Sequence, residues 1–123
     1  MKVLIVDDSE VVRERLKAML SEVTELKNIN QAEDVPEAIS SFHKLKPEVV
    51  ILDIRMPGGS GVDVLQEVKK GNCPPLVIVL TNYPYPQYRR KCIEAGADFF
   101  FDKSTEFNKV TEVLEQFSQK VVP

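Results

Sequence analysis

Three aspartates in the first half of the chain follow apolar segments. Asp7 and Asp8 come directly after Val3–Val6, and Asp53 comes directly after Val49–Leu52. Both segments are typical of buried parallel strands, and the carboxyl ends of such strands form the ligand crevice of an open α/β sheet. Two anions about 5 Å apart repel by about 3 kcal/mol at an effective dielectric of ~20. A hard divalent cation would offset this repulsion, so the three acids predict a metal site.

Two further polar residues follow predicted strands later in the chain. Thr81 comes after the apolar segment 76–80, and Lys103 comes shortly after the segment 99–101. A hydroxyl and an ammonium are therefore expected at the same edge of the sheet as the acids. Two carboxylates can hold Mg²⁺, while a third, ionised carboxylate can attack phosphorus as a nucleophile. The metal, the lysine and the hydroxyl can stabilise charge on the phosphoryl oxygens, so the set predicts phosphorylation of an aspartate.

Strand and helix patterns alternate along the chain and explain how these residues would be positioned. Strands are predicted at residues 3–6, 28–32, 49–52, 76–80 and 99–101, and apolar stripes at helical spacing follow each of them. Ser9 and Asp34 are expected to cap helices, and Gly61 is expected to open the third helix. Five βα units in succession predict an α/β fold with a parallel sheet, helices on both faces and right-handed crossovers.

The composition is that of an ordinary globular chain, and we expect one domain over residues 1–123. Apolar residues make up 43% of the chain, and no apolar run reaches the ~20 residues of a membrane span. The net charge of −3 gives no general attraction for nucleic acid or an anionic membrane, so neither is expected as a direct partner. Cys73 and Cys92 lack metal or redox spacing, which favours reduced thiols and a cytoplasmic location.

Over nearly its whole length the sequence resembles the receiver domain of the response regulators of two-component signalling. The matching residues follow four predicted strands in the family's order: Asp7, Asp8, Asp53, Met56, Pro57, Gly61, Thr81, Ala95, Gly96, Ala97 and Lys103. The resemblance implies a flavodoxin-like (βα)5 three-layer sandwich. Its parallel strands would have the order 2-1-3-4-5.

The resemblance also implies a role for each of the acids. Asp53 would accept a phosphoryl group from a sensor histidine kinase or a phosphotransfer protein. Asp7, Asp8 and Asp53 would bind Mg²⁺, with the backbone carbonyl of Arg55 as a further ligand. The metal predicted from the acid cluster would thus be the cofactor of phosphorylation.

The remaining residues of the implied site concern the phosphoryl group and a conformational switch. Thr81 and Lys103 would contact the phosphoryl oxygens, and Thr81 would act as a switch together with Phe100. The family frequently carries Tyr at the position of Phe100, so the ring here has no hydroxyl to form a hydrogen bond. Arg55 and Tyr83 are expected to flank the phosphoryl group. Since neither is an acid or an amide that could position a water molecule, we expect slow hydrolysis.

We expect a signalling switch that catalyses only its own phosphorylation and dephosphorylation, not a dedicated enzyme. Its output would be a contact with a downstream protein target, or it would control an output domain missing from this sequence. A metal-dependent phosphohydrolase is the first alternative, but that class carries a second acid two residues after its aspartyl nucleophile, where this chain has Arg55. A docking module that is never phosphorylated is the second alternative, and the intact acid set argues against it.

Overall fold

A parallel sheet of five strands forms the centre of the molecule. The structure is a computed structural model, and it describes residues 1–121, with side chains as far as residue 118. The strands are β1 (Val3–Val6), β2 (Ile29–Ala32), β3 (Val49–Leu52), β4 (Arg55–Met56), β5 (Gly59–Ser60), β6 (Leu76–Thr81) and β7 (Phe99–Asp102). The helices are α1 (Glu10–Leu20), α2 (Val35–Leu45), α3 (Gly61–Val68), α4 (Pro86–Glu94) and α5 (Lys109–Val121), with a short 3-10 turn at Leu26–Asn28. The expected domain of residues 1–123 includes two terminal residues outside this description.

The strand order of the central sheet confirms the predicted topology. The order is β2-β1-β3-β6-β7, and all neighbouring pairs are parallel. β4 and β5 form a separate antiparallel hairpin, so β6 and β7 are the fourth and fifth strands of the central sheet. Numbered in this way, the observed order is the predicted 2-1-3-4-5. Val6 lies beside Leu52 in the register of β1 and β3. Asp7 and Asp53 therefore leave the sheet side by side.

Both faces of the sheet are buried, which explains why the strand segments are apolar without alternation. On one face, α2, α3 and α4 pack over side chains that include Leu4, Val6, Val50, Leu52, Val77 and Val79. On the other face, α1 and α5 pack over side chains that include Val3, Ile5, Val49, Ile51, Ile78 and Leu80. Each large side chain buried in this way contributes roughly 1.5–3 kcal/mol of transfer free energy. The two cores hold the strand ends in fixed positions.

The helix starts confirm three predictions made from the sequence. The side chain of Ser9 accepts a hydrogen bond from the backbone of α1, and that of Asp34 accepts one from the backbone of α2. Gly61 is the first residue of α3, after a capping box formed by Ser60 and Asp63.

Within the described residues, no helix combines the length and the apolar character that crossing a bilayer requires.

Some predicted boundaries are wrong by one residue, and one element was not predicted. β2 begins at Ile29 rather than residue 28, and both β6 and β7 extend one residue further than predicted, to Thr81 and Asp102. The hairpin of β4 and β5 was missed because its strands are two residues long and give no periodic signal. Pro57 and Gly58 form its turn, and Gly58 and the first residue of β5, Gly59, have positive φ values of 82° and 142°.

Replacement of Gly61 tests how closely α3 is packed against the strand end that carries Asp53. A Cβ at Gly61 would collide with the carbonyl oxygen of Asp53 and would lie 2.6 Å from the Cα of Ile54. Because both atoms belong to the backbone, we expect Gly61→Ala to lower the free energy of unfolding by about 3 kcal/mol. Denaturant unfolding measures the change.

The matched control is Gly71→Ala, since a Cβ at Gly71 meets no atom within 4 Å. Its effect should stay within about 0.5 kcal/mol. Equal stability of the two variants would contradict the close packing of α3 on the Asp53 backbone.

Candidate functional site

The three predicted acids converge at the carboxyl edge of the sheet. Each of Asp7, Asp8 and Asp53 offers an oxygen atom, and these atoms all lie within 4.8 Å of one another. Asp7 and Asp8 follow β1, and Asp53 follows β3. The backbone N–H of Asp53 donates a hydrogen bond to the carbonyl of Val6 at 2.9 Å. Asp7 and Asp53 are buried, whereas Asp8 is exposed. The convergence expected from the two apolar segments is therefore present.

Lys103 lies between two of these acids. Its Nζ atom is 2.6 Å from Asp7 Oδ2 and 2.9 Å from Asp53 Oδ2. The three residues are almost completely buried, with exposed fractions of 8% for Lys103, 2% for Asp7 and 6% for Asp53. The backbone of Lys103 is fixed where β7 ends, because its N–H donates to the carbonyl of Thr81 at 2.9 Å. The ammonium of Lys103, which follows β7, therefore joins the carboxylates that follow β1 and β3.

Burial opposes the charge on both partners of this interaction, with different results. Burial raises the pKa of Asp7, although Lys103 and the backbone N–H of Ser9 lower it. Burial would lower the pKa of Lys103, but the hydrogen bonds and charges of Asp7 and Asp53 outweigh it, so the pKa is raised. Lys103 therefore keeps its positive charge at neutral pH, within reach of any anion that binds at Asp53.

The loop that carries Asp7 and Asp8 is held in place by backbone contacts. Asp7 Oδ1 accepts a hydrogen bond from the N–H of Ser9 at 2.8 Å. The carbonyl of Asp7 accepts one from Arg13 Nη1 at 2.8 Å, and Arg13 Nε donates to Gln31 Oε1 at 3.0 Å. Arg13 thus connects α1 to the ends of β1 and β2. Arg13 was not among the predicted site residues, since an arginine in the first turns of a helix carries no specific signal.

Thr81 and Phe100 are both buried at the end of the sheet formed by β6 and β7. Thr81 is fully buried, and its Oγ1 atom accepts a hydrogen bond from the N–H of Tyr83 at 3.0 Å. Phe100 is buried in the core on the α4 side, and its carbonyl accepts a hydrogen bond from Arg89 at 3.3 Å. Both predicted switch residues therefore lie in positions where a change of conformation would require repacking of the core.

Arg55 and Tyr83 contact each other at the entrance of the site. The guanidinium carbon of Arg55 lies 4.4 Å from the centre of the Tyr83 ring. Such a cation–π contact contributes about 0.5–1 kcal/mol at an exposed position. The backbone N–H of Arg55 also points toward Asp53 Oδ1, with a long separation of 3.4 Å. The two residues that were expected to flank Asp53 and Thr81 form one contact pair there.

The donor set fits a hard divalent cation. Carboxylate oxygens are the ligands that Mg²⁺ prefers, and the three acids can place theirs around a single ion. A second acidic group, at Glu33, Asp34 and Glu37, also has closely spaced oxygens. This group has a structural explanation, because Asp34 caps α2 and Glu37 accepts a hydrogen bond from the backbone of Glu33.

Comparison with known protein families agrees with this geometry. The family model of the response regulator receiver domain matches residues 3–115, which is most of the chain. The chain belongs to this family. The resemblance stated from the strand-end residues is thereby confirmed.

The relatives of this receiver domain are mostly longer proteins. The sensory transduction protein LytT of Bacillus subtilis is 29% identical over 119 residues, which cover 97% of the chain and 48% of LytT. The response regulator protein VraR of Staphylococcus saprophyticus is 29% identical over 115 residues, which cover 94% of the chain and 55% of VraR. The receiver domain thus spans about half the length of these relatives.

Solved structures confirm the fold. The N-terminal domain of an uncharacterized protein from Wolinella succinogenes matches with a TM-score of 0.88 and 34% identity, covering 99% of this chain and 97% of that domain. The signal receiver domain of a DNA-binding response regulator from Colwellia psychrerythraea matches with a TM-score of 0.88 and 23% identity, covering 97% and 98% of the two chains. The predicted flavodoxin-like architecture is therefore correct.

Replacement of Lys103 tests whether its ammonium stabilises the buried acids. Lys103→Met would leave Asp7 and Asp53 without their shared cation, and removal of one partner from a buried ion pair costs about 3–5 kcal/mol. We expect the free energy of unfolding to fall by about 3 kcal/mol, at the lower end of this range. Asp7 can take up a proton in the variant, which removes one of the two unpaired buried charges. Denaturant unfolding at neutral pH with a chelator present measures it.

The control is Lys109→Met, which removes an exposed lysine that lies 2.8 Å from Glu106. Exposed pairs of this kind contribute little to stability, because water and salt screen the two charges. If both variants lost the same small amount, the buried interaction would not stabilise the receiver domain.

Proposed function

We propose that this receiver domain is a phosphorylation-controlled signalling switch in which Asp53 accepts a phosphoryl group. The donor would be a sensor histidine kinase or a phosphotransfer protein. One observation carries the proposal: an acid cluster, a charged lysine and a buried hydroxyl lie at the same edge of the sheet. Carboxylate, ammonium and hydroxyl groups are the parts that phosphoryl transfer to an aspartate requires.

The residues around Asp53 have distinct roles in the proposed transfer. An oxygen of Asp53 forms a bond to phosphorus while the bond from phosphorus to the donor's imidazole nitrogen breaks. The imidazole leaves with the electron pair of that bond and takes up a proton. Lys103, which already contacts Asp53 Oδ2 at 2.9 Å, would offset the charge of a phosphoryl oxygen. Thr81 Oγ1 accepts from Tyr83, so its own proton is available for a second phosphoryl oxygen.

Mg²⁺ is the proposed cofactor. Asp7, Asp8 and Asp53 would hold it together with the backbone carbonyl of Arg55. The close spacing of the three carboxylates supports this assignment. When bound, the ion would neutralise charge on the acids and on the phosphoryl oxygens.

Thr81 and Phe100 form the proposed switch. Phosphorylation would draw the hydroxyl of Thr81 toward the phosphoryl group, and the ring of Phe100 would fill the space left behind. Phosphorylation would thus bias an existing two-state equilibrium. The affected surface would comprise α4, β7 and α5, where Arg89 already joins α4 to the backbone of Phe100.

The proposed activity is limited to the domain's own phosphorylation and dephosphorylation. A phosphohydrolase of the aspartyl class is disfavoured because Arg55 occupies the position of its second acid. We further propose cytoplasmic action, with no direct nucleic-acid or membrane contact by this domain. The output would pass to a downstream protein or to an output domain, as the greater length of the curated relatives suggests.

Phosphorylation by a small donor tests the function directly. We expect acetyl phosphate with Mg²⁺ to add one phosphoryl group to the wild type and none to Asp53→Asn, because the amide is a poor nucleophile. Intact-mass spectrometry measures the uptake. The control is Asp102→Asn at the end of β7, which should be phosphorylated like the wild type. Equal uptake by the Asp53 variant would refute the assignment, and steady turnover of phosphomonoesters would favour a hydrolase.

Thermal melts test the metal site. Mg²⁺ should raise the melting temperature by mass action, because its site is assembled only in the folded state. Asp8→Asn should weaken this response and modestly stabilise the metal-free protein, since it removes one anion from a cluster of three. Glu37→Gln, in the second acidic group, is the control and should leave the Mg²⁺ response unchanged. A metal-free protein destabilised by Asp8→Asn would contradict the repulsion argument.

The lifetime of the phosphorylated state tests the contact between Arg55 and Tyr83. We propose that this pair flanks the phosphoryl group on the side from which an attacking water molecule must approach in line, so that it shields phosphorus. We expect the double variant Arg55→Asn, Tyr83→Ala to lose phosphate ~10-fold faster, a change of ~1.4 kcal/mol in the barrier. Phosphate release after removal of the donor, with Mg²⁺ present, measures the rate. Tyr85→Ala is the control, and a double variant no faster than the wild type would disprove shielding.

A further inference from the structure

A cleft lies between the β4–β5 hairpin and α4, and its lining begins at Ile54, directly after Asp53. Its volume is about 410 Å³, within the range of about 300–1,000 Å³ that is usual for small-molecule sites. Ile54, Met56 and Val62 line it from the hairpin side and the start of α3, and Cys92 lines it from α4. Ile54, Met56 and Val62 keep exposed fractions of 4–9%, whereas Cys92 is fully buried. The exposed edges of the first three side chains give the cleft a small apolar wall.

Two cations line the same cleft, and no carboxylate among the described side chains does. Arg55 lines it from the hairpin, and Lys91 lines it from α4. In the part of the chain whose side chains are described, neither cation forms an ion pair. The cleft is therefore a local positive site with an apolar wall.

Cys92 shows that the wall remains uncharged. Burial raises the pKa of its thiol to about 11, although the charge of Lys91 acts in the opposite direction. The thiol is therefore neutral at neutral pH and behaves as a small apolar group. Tyr88, half-buried on α4, adds an aromatic ring to the lining.

We propose that this cleft binds a small organic anion, with an apolar or aromatic body and one carboxylate, sulfonate or phosphate group. The body would lie against the ring of Tyr88 and the exposed edges of Ile54 and Met56. The anionic group would lie between Arg55 and Lys91, which offer five N–H donors and an ammonium. The apolar wall and the two cations together exclude inorganic anions as the best ligands, because these leave the wall uncovered.

Ligand binding would be coupled to the phosphorylation site. Arg55 lines the cleft and also follows Asp53 by two residues, and α4 carries Lys91 and Cys92 beside the proposed switch. By linkage, a ligand whose affinity differs between the two switch states must shift their equilibrium by the same factor. This coupling rests on the proposed function, whereas the binding itself does not.

The binding test uses 8-anilinonaphthalene-1-sulfonate as the probe, without metal or phosphoryl donor. We expect saturable fluorescence at one probe per chain on the wild type. N-phenyl-1-naphthylamine, which has the same rings without the sulfonate, should bind at least tenfold more weakly. Amide NMR shifts should concentrate in residues 54–62 and 88–92. No saturable binding, equal affinity for the two probes, or shifts elsewhere would each overturn the proposal.

A charge reversal on α4 locates the anionic group. Lys91→Glu should weaken sulfonate binding at least tenfold and leave the uncharged probe within twofold. The control is Arg90→Glu, the same charge change at the neighbouring exposed residue, which does not line the cleft. It should keep at least half of the wild-type affinity. Thermal melts establish that both variants are folded, and an equal loss in both would show nonspecific charge attraction and overturn the site.

Beryllofluoride, a stable mimic of the phosphoryl group, tests the coupling. With Mg²⁺ present, it should change the probe's dissociation constant at least threefold. Shifts of the Asp53 amide report separately whether beryllofluoride binds. Binding of the mimic without any change in probe affinity would overturn the coupling. Absence of mimic binding would instead count against the proposed function. The probe affinity measured without the mimic would still decide whether the cleft binds the anion.

Discussion

The ammonium of Lys103 between Asp7 and Asp53 is the interaction on which the rest of the site depends. It joins strand ends that are not all neighbours, since β6 separates β3 from β7. Without a cation, two buried carboxylates at this distance would repel each other and favour the protonated or unfolded state. The lysine therefore makes the acid cluster compatible with a buried position. It also places a permanent positive charge where a phosphoryl group would need one.

Much of the fold and most of the site could be predicted because they depend on simple regularities. Strands buried on both faces are apolar throughout, and parallel neighbours end at one edge, so Asp7, Asp53 and Lys103 had to meet there. The hairpin of β4 and β5 could not be predicted, because two-residue strands give no periodic signal and depend on the positive φ angles of Gly58 and Gly59. Contacts between exposed long side chains also leave no pattern in a sequence. The position of Arg55 was expected, but its packing on Tyr83 was not.

The helices differ in how firmly they are attached, and this difference suits a switch. α3 buries five of its eight residues, and a capping box fixes its start against the Asp53 backbone. α4 buries only Cys92 among its residues and begins at Pro86 without a side-chain cap. Elements with few buried apolar contacts are the ones that shift or open at the lowest free-energy cost. In the proposed switch, α4 would respond to a change at Thr81, while α3 would keep Asp53 in place.

The parallel register of the sheet has a consequence for how the domain can be joined to other proteins. All groups of the proposed site leave the strands at one edge, so the loops at the opposite edge take no part in positioning them. The loop at residues 71–74 is exposed there, and Gly71 has open space around it. Segments of new sequence inserted in this loop would leave the register of β3 and β6 intact. The domain therefore offers a place for tags or sensor modules that is remote from its chemistry.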